Sequence, residues 1–170
     1  MKSKFYFWDF DGTLAKSPLP DTGKEQWTKH HGKQYPHIGW WGKPESLCLN
    51  AFDIKPNDEV MNDLKNSLAE GCTNWILTSR MHKLKEHVCN VLDYFHPDLS
   101  QNFDGMSFAS NLDKGQRILK IIDGQEVTSV DVYEDRDVEI IVLESIRETL
   151  ESKGIVYNIH VIDNGEGSKL

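Results

Sequence analysis

No stretch of this chain is apolar over a length that crosses a membrane, and its first residues lack the long hydrophobic segment of a secretory leader. Cysteine is scarce. Cys48, Cys72 and Cys89 are odd in number and show no metal-ligand spacing, which predicts reduced thiols, no disulfide-linked partner and a cytoplasmic setting. Neither a Gly-X-Gly-X-X-Gly nor a P-loop pattern occurs, which removes two common phosphate-cradling loops. An excess of positive charge is missing as well. Residues 1–120 balance 15 Lys/Arg against 15 Asp/Glu, whereas residues 121–170 hold 4 against 12, so the net charge of −8 lies wholly in the last third. A surface that grips long duplex nucleic acid is therefore not expected, but the balanced N-terminal region suits a short end or a nucleotide. Proline is nearly absent outside residues 15–56: Pro97 stands alone against Pro18, Pro20, Pro36, Pro44 and Pro56.

What is present has a regular rhythm. At 170 residues the chain is long enough for one complete core and short for two. Buried-strand patterns at residues 5–8, 73–78, 106–108, 127–133 and 155–162 alternate with helical periodicity over 57–71, 84–95, from 113 onward and 138–153. That alternation predicts an α/β fold, a three-layer α/β/α sandwich around a parallel, doubly wound, Rossmann-like sheet. One domain over residues 1–170 is expected. Residues 15–56 interrupt it as a loop-rich insertion with a short helix near 23–31, and they carry Trp27, Trp40 and Trp41 with His30, His31 and His37.

The first strand, Phe5-Tyr6-Phe7-Trp8, delivers the chain into Asp9-Phe10-Asp11-Gly12-Thr13. Side chains two apart on a strand share a face. At the C-terminal end of a parallel sheet, where such folds hold ligands, two carboxylates repel unless a divalent cation, a proton or a phosphoryl group sits between them. Taken alone, the same residues also fit a plain turn, since Asp and Gly supply turn chemistry. A calcium loop fails, because residues 14–18 provide no further oxygen ligands.

Three downstream features decide between turn and site. The strand at Trp75-Ile76-Leu77 runs into Thr78-Ser79-Arg80, whose hydroxyls and guanidinium suit phosphate oxygens, although Thr78 or Ser79 also fits a helix cap. Lys114 opens a helix; a solvated lysine is the commoner fate. A second apolar strand ends in Tyr133-Glu134-Asp135-Arg136, and turns alone account poorly for a second acidic pair.

These four elements, in this order and over nearly the whole chain, resemble the motifs of the haloacid dehalogenase (HAD) superfamily. Leu77-Thr78-Ser79-Arg80 and Glu134-Asp135-Arg136 are similar to signatures of the polynucleotide kinase 3′-phosphatase branch and of Swiss-army-knife RNA-repair-like HAD domains. Ser79 stands where those signatures carry Gly. Gly39-Trp40-Trp41-Gly42-Lys43-Pro44 resembles a Trp-rich segment of the latter group. The resemblance implies a phosphoric monoester hydrolase that works through an aspartyl-phosphate. Asp9 would be nucleophile, and Asp11 a proton carrier kept protonated by an anionic neighbour. Thr78 would hold the phosphoryl oxygens, and Lys114 would supply fixed positive charge. Mg²⁺ would lie on the Asp9 carboxylate, the Asp11 backbone carbonyl and Asp135, with Glu134 in an outer or inner position. Arg80 and Arg136 would meet substrate phosphate or orient the acidic pair, and Ser79 would contact the substrate.

By the same resemblance the insertion would cover the site and select the substrate. Trp40 and Trp41 are candidates for stacking on a base and Lys43 for a backbone phosphate, against the alternative that both rings pack the insertion onto the core. A metal site at the three histidines lacks a second ligand cluster. The expected partner is a phosphorylated substrate, a nucleic-acid end with a 3′-phosphate or a nucleotide. A small-molecule phosphatase and a catalytically silent HAD-like scaffold are the alternatives.

Overall fold

The computed structural model describes residues 3–163, so residues 1–2 and 164–170 of the expected domain lie outside the described residues. The chain begins with β1 (Lys4–Trp8). The insertion follows, with β2 (Ala15–Lys16), α1 (Pro20–His31), a 3₁₀ turn at Pro44–Leu47 and β3 (Lys55–Pro56). Next come α2 (Asp58–Ala69), β4 (Thr73–Leu77), α3 (Lys85–Phe95), β5 (Gly105–Ser107) and α4 (Lys114–Ile122). The last elements are β6 (Ser129–Glu134), α5 (Asp137–Glu144), α6 (Arg147–Ser152) and β7 (Val156–Val161).

Five parallel strands form one sheet in the order β5-β4-β1-β6-β7, with Phe7 registered on Trp75 to one side and Val132 to the other. The first crossovers move outward through β4 to β5, and the chain then returns to the opposite side of β1 at β6. The topological switch, the ligand position of such sheets, is therefore the C-terminal end of β1.

Strand alternation builds the layers. Phe5 and Phe7 face α4–α6 with Leu77, Ile118, Val132, Leu143 and Leu150. Trp8 turns to the other face and joins Leu64, Ile76, Val88 and Leu92. Burying Phe5, Phe7 and Trp8 contributes about 1.5–3 kcal/mol each, which makes β1 the anchor of both layers.

The insertion packs into the same core. Trp27, Tyr35, Trp40, Leu47, Phe52 and Ile54 are continuous with Trp8, Phe10 and Leu14, and the short β2–β3 pair closes the insertion at its base. The helix expected near 23–31 starts earlier, at Pro20, which needs no amide partner in a first turn. Gly23 lies under the Trp40 ring, where a Cβ would come within 2.4 Å of Cζ2, so a larger residue would expel the tryptophan. The helix expected over 138–153 is two helices. Ser145 Oγ donates to the Val142 carbonyl at 2.5 Å, a local bond that competes with the helical ladder where the chain breaks.

Candidate active site

Asp9 is the first residue past β1. Its amide donates to the Tyr133 carbonyl at 3.0 Å, so the central strand pair continues one step and sets its backbone. Gly12, at φ +76°, then reverses the chain, and the Thr13 hydroxyl donates back to Asp9 Oδ2 at 2.9 Å. Across the sheet end, the Asp113 side chain caps α4 by accepting the Gln116 amide at 2.8 Å, which makes Lys114 the first residue of the helix.

The Lys114 ammonium donates to Asp9 Oδ1 at 2.9 Å and to Glu134 Oε2 at 2.5 Å, and only 2% of its side chain is exposed. Burial works against its charge, yet the two carboxylates hold its pKa well above the ordinary lysine value. Burial also opposes ionisation of Asp9. The Lys114 charge, with hydrogen bonds involving Asp135, Lys114 and Thr13, outweighs it and lowers the Asp9 pKa.

Glu134 is fully buried. Its Oε1 accepts the Asp135 and Arg136 amides at 3.0 and 3.1 Å while Oε2 faces Lys114, so both oxygens are engaged. Asp135 turns into the cleft beside Asp9. Burial and then the Asp9 charge push Glu134 up to about 7 and Asp135 up to about 9, and Asp135 shares a hydrogen bond with Asp9. The carboxylate crowding expected between Asp9 and Asp11 thus falls on Asp9, Glu134 and Asp135. One oxygen from each lies within 4.8 Å of the others. A hard, oxygen-seeking dication would relieve the repulsion that raises the Asp135 pKa, so these residues fit Mg²⁺.

Asp11 has different surroundings. Arg80 grips it with both arms of its guanidinium, Nε to Oδ2 at 2.8 Å and Nη2 to Oδ1 at 2.9 Å, and Ser17 Oγ donates to Oδ1 at 2.6 Å. The direct neighbour of Asp11 is a cation rather than the anion expected from the sequence. Arg80 Nη1 donates to the Trp41 carbonyl at 2.6 Å and to Ser46 Oγ at 2.5 Å, and the guanidinium lies 5.1 Å from the Trp41 ring centre. With 1% of its side chain exposed, Arg80 is engaged by partners within the protein, and of its two expected roles the geometry shows it orienting a carboxylate, that of Asp11. Thr78 is buried too. Its hydroxyl accepts the Arg80 amide at 3.0 Å, and it holds the strand end rather than lining the cleft.

The cleft over these groups has a volume of about 800 Å³. Its walls are Asp9, Asp11, Gly12, Lys114, Asp135 and Arg136 from the sheet end, Ser79 and Arg80 from the loop after β4, and Lys16, Ser17, residues 19–22 and Trp41 from the insertion. The adjacent tryptophans part ways. Trp41 is 40% exposed and faces the cleft. Trp40 is 3% exposed, packs on Gly23 and Phe52, and donates its indole N–H to the Pro18 carbonyl at 2.9 Å, so it does not stack on a ligand. Lys43 is also outside the cleft lining; its carbonyl accepts from the Ser46 amide and hydroxyl. His37 lies 2.8 Å from Glu45 and His31 stacks on Trp27, so both pack within the insertion.

Two supports escaped the sequence reading. Arg117, one helical turn after Lys114, donates from Nη1 to the Thr78 and Phe108 carbonyls and to Ser107 Oγ, tying the ends of β4 and β5 to the helix that carries Lys114. Its i+3 spacing from Lys114 was the available signal. Ser46 carried none, since nothing local distinguishes it from any loop serine.

No protein-family model matches the sequence, and no curated protein does either. Solved structures do. The HAD domain of effector protein Lem4 from Legionella pneumophila matches 98% of this chain over 88% of its own, at 14% identity and a TM-score of 0.59. CbbY from Rhodobacter sphaeroides, in complex with xylulose-(1,5)bisphosphate, matches 99% over 90%, at 13% identity and a TM-score of 0.56. A HAD-superfamily hydrolase from Ehrlichia chaffeensis matches 94% over 88%, at 14% identity and a TM-score of 0.54. At such identities the likeness is one of fold alone, the Rossmann-like α/β arrangement that these structures share with this chain.

Proposed function

We propose that this chain is a Mg²⁺-dependent phosphomonoesterase that works through an aspartyl-phosphate on Asp9. The observation that carries the reading is the buried Lys114 ammonium between Asp9 and Glu134, with Asp135 beside them at the open end of the sheet. Buried carboxylates held this close serve no packing purpose, and a bare scaffold would gain nothing from them. Asp9, Asp135 and the Asp11 backbone carbonyl would hold the ion, and Glu134, occupied by Lys114 and two amides, would orient the site from behind. When bound, Mg²⁺ supplies Lewis acidity toward the phosphoryl oxygens and shields the nucleophile from substrate charge.

The protein groups then divide the chemistry. Thr13 and Lys114 fix the Asp9 carboxylate, which bonds to phosphorus as the ester P–O bond breaks; Asp11, ion-paired with Arg80, takes a proton from the substrate's phosphate monoanion and passes it to the departing alcohol oxygen. Water next bonds to phosphorus and yields a proton to Asp11. The P–O bond to Asp9 breaks, and phosphate leaves carrying that proton, with both aspartates restored. Lys114 provides fixed positive charge throughout. Ser79 and Arg136, both on the cleft wall, meet the phosphoryl group and the rest of the substrate.

The favoured substrate is a terminal 3′-phosphate on a polynucleotide or nucleotide, with Trp41 as the stacking surface and Lys16 beside it in the cleft. The enclosure of the cleft by Lys16, residues 19–22 and Trp41 supports a second reading, a mononucleotide or another small phosphomonoester. Phosphate release from 3′- and 5′-phosphorylated oligonucleotides and from 3′- and 5′-mononucleotides, with Mg²⁺ and with chelator, separates them. Metal-dependent release greatest on the 3′-phosphorylated oligonucleotide is expected. Turnover of mononucleotides alone would replace the polymer reading, and release indifferent to chelator would refute the metal-dependent mechanism.

A further inference from the structure

Asp11 is joined to the insertion through one side chain. Arg80, from the loop after β4, uses Nε and Nη2 on the two Asp11 oxygens and Nη1 on the Trp41 carbonyl and Ser46 Oγ, and Ser46 Oγ in turn donates to the Lys43 carbonyl at 2.7 Å. Arg80 and Ser46 are both buried. A planar fork of fixed shape, bound at both ends, cannot shift at one end without disturbing the other. We propose that Arg80 is a positioning residue that fixes the Asp11 carboxyl for proton transfer, and that the docked segment Trp41 to Ser46 of the insertion sets Arg80.

The bonding also selects the working oxygen of Asp11. Among the described residues, Oδ1 accepts from Arg80 Nη2 and Ser17 Oγ, whereas Oδ2 accepts from Arg80 Nε alone and keeps a lone pair for an incoming proton. Substrate identity and proton delivery are thereby connected. A ligand that displaces Trp41 or the 3₁₀ turn at Pro44–Leu47 releases the fork and lets the proton carrier turn away. The inference rests on the phosphatase reading of Asp9 and Asp11.

Leaving-group dependence tests it. The ratio kcat/KM reports the steps up to departure of the alcohol, and p-nitrophenolate departs without a proton whereas the alkoxide of thymidine 3′-monophosphate needs one. Ser46→Ala and Arg80→Lys are expected to lower kcat/KM for thymidine 3′-monophosphate roughly tenfold more than for p-nitrophenyl phosphate. For Arg80→Ala the expected split is on the order of 10², within the range of one acid–base group. An equal fall on both esters, the mark of a merely structural role, overturns the proposal, as does no fall on either. Hydrogen exchange gives a readout that needs no activity. The Ser46 and Cys48 amides, which donate to the Lys43 and Glu45 carbonyls, should lose protection in Asp11→Asn and keep it in Asp9→Asn. Equal protection in the two variants overturns the coupling. Failure of the wild-type protein to hydrolyse either ester refutes the phosphatase reading itself and leaves the exchange result to decide whether the clamp exists.

Discussion

Asp9 and Asp11 are two residues apart, yet they belong to different regions of the molecule. Asp9 is held by the sheet: the Tyr133 carbonyl takes its amide, and Lys114 and Thr13 hold its carboxylate. Asp11 is held by the additions to the sheet: Arg80, Ser17 and, through Arg80, Trp41 and Ser46. The proposed nucleophile is therefore tied to the core, while the proposed proton carrier is tied to the docked insertion. A fold can keep its chemistry and change its substrate if only the second region varies.

Substitutions that break the sheet-held region have the largest expected effects. Asp9→Asn should lower turnover by on the order of 10⁴ or more with the fold kept, as checked by phosphate release and circular dichroism. Lys114→Met leaves Asp9 and Glu134 facing each other without their cation, and should cost about 3–5 kcal/mol in denaturant unfolding as well as activity. Adding Glu134→Gln should recover part of that stability and none of the turnover.

The insertion sharpens the comparison through its two tryptophans. Trp40→Ala opens a cavity in the shared core and should cost about 3–5 kcal/mol, with KM for the folded enzyme nearly unchanged. Trp41→Ala should cost under about 1 kcal/mol and raise KM roughly five- to tenfold, the low end for lost base stacking. If Trp41→Ala leaves KM alone, the ring is only a wall.

The smallest effect concerns pH and metal. Asp135, pushed up to about 9, and Glu134, pushed up to about 7, bind protons in the folded protein that the unfolded chain has released. Their contribution to the metal-free fold is full below the ordinary carboxylate range and declines as pH rises toward those values. Mg²⁺ displaces the protons, so its stabilising shift in Tm should be larger near about pH 8.5 than near about pH 6. A shift that shrinks with rising pH would place the ion elsewhere.

The sheet-held region was legible from the sequence because each of its residues sits at the end of a strand or the start of a helix. Apolar periodicity locates those ends: Asp9 after β1, Lys114 opening α4, Glu134 closing β6. Arg80 was legible as a residue but not in direction, since a strand-end arginine can face outward to a phosphate or inward to Asp11. The choice depends on Trp41 and Ser46, which lie more than thirty positions earlier in the chain. Trp40 and Trp41 were inseparable for a similar reason: the distant contacts of Trp40 with Gly23, Phe52 and the Pro18 carbonyl decide which ring is buried. The break between α5 and α6 hid behind continuous helical periodicity.

The proposed bond between phosphorus and Asp9 can be trapped directly. Wild-type protein mixed with Mg²⁺ and a 3′-phosphorylated oligonucleotide, then quenched with borohydride, should carry homoserine at position 9, because an acyl phosphate is reduced where a free carboxylate is not. Turnover without that product, or with reduction at another carboxylate, would contradict the account.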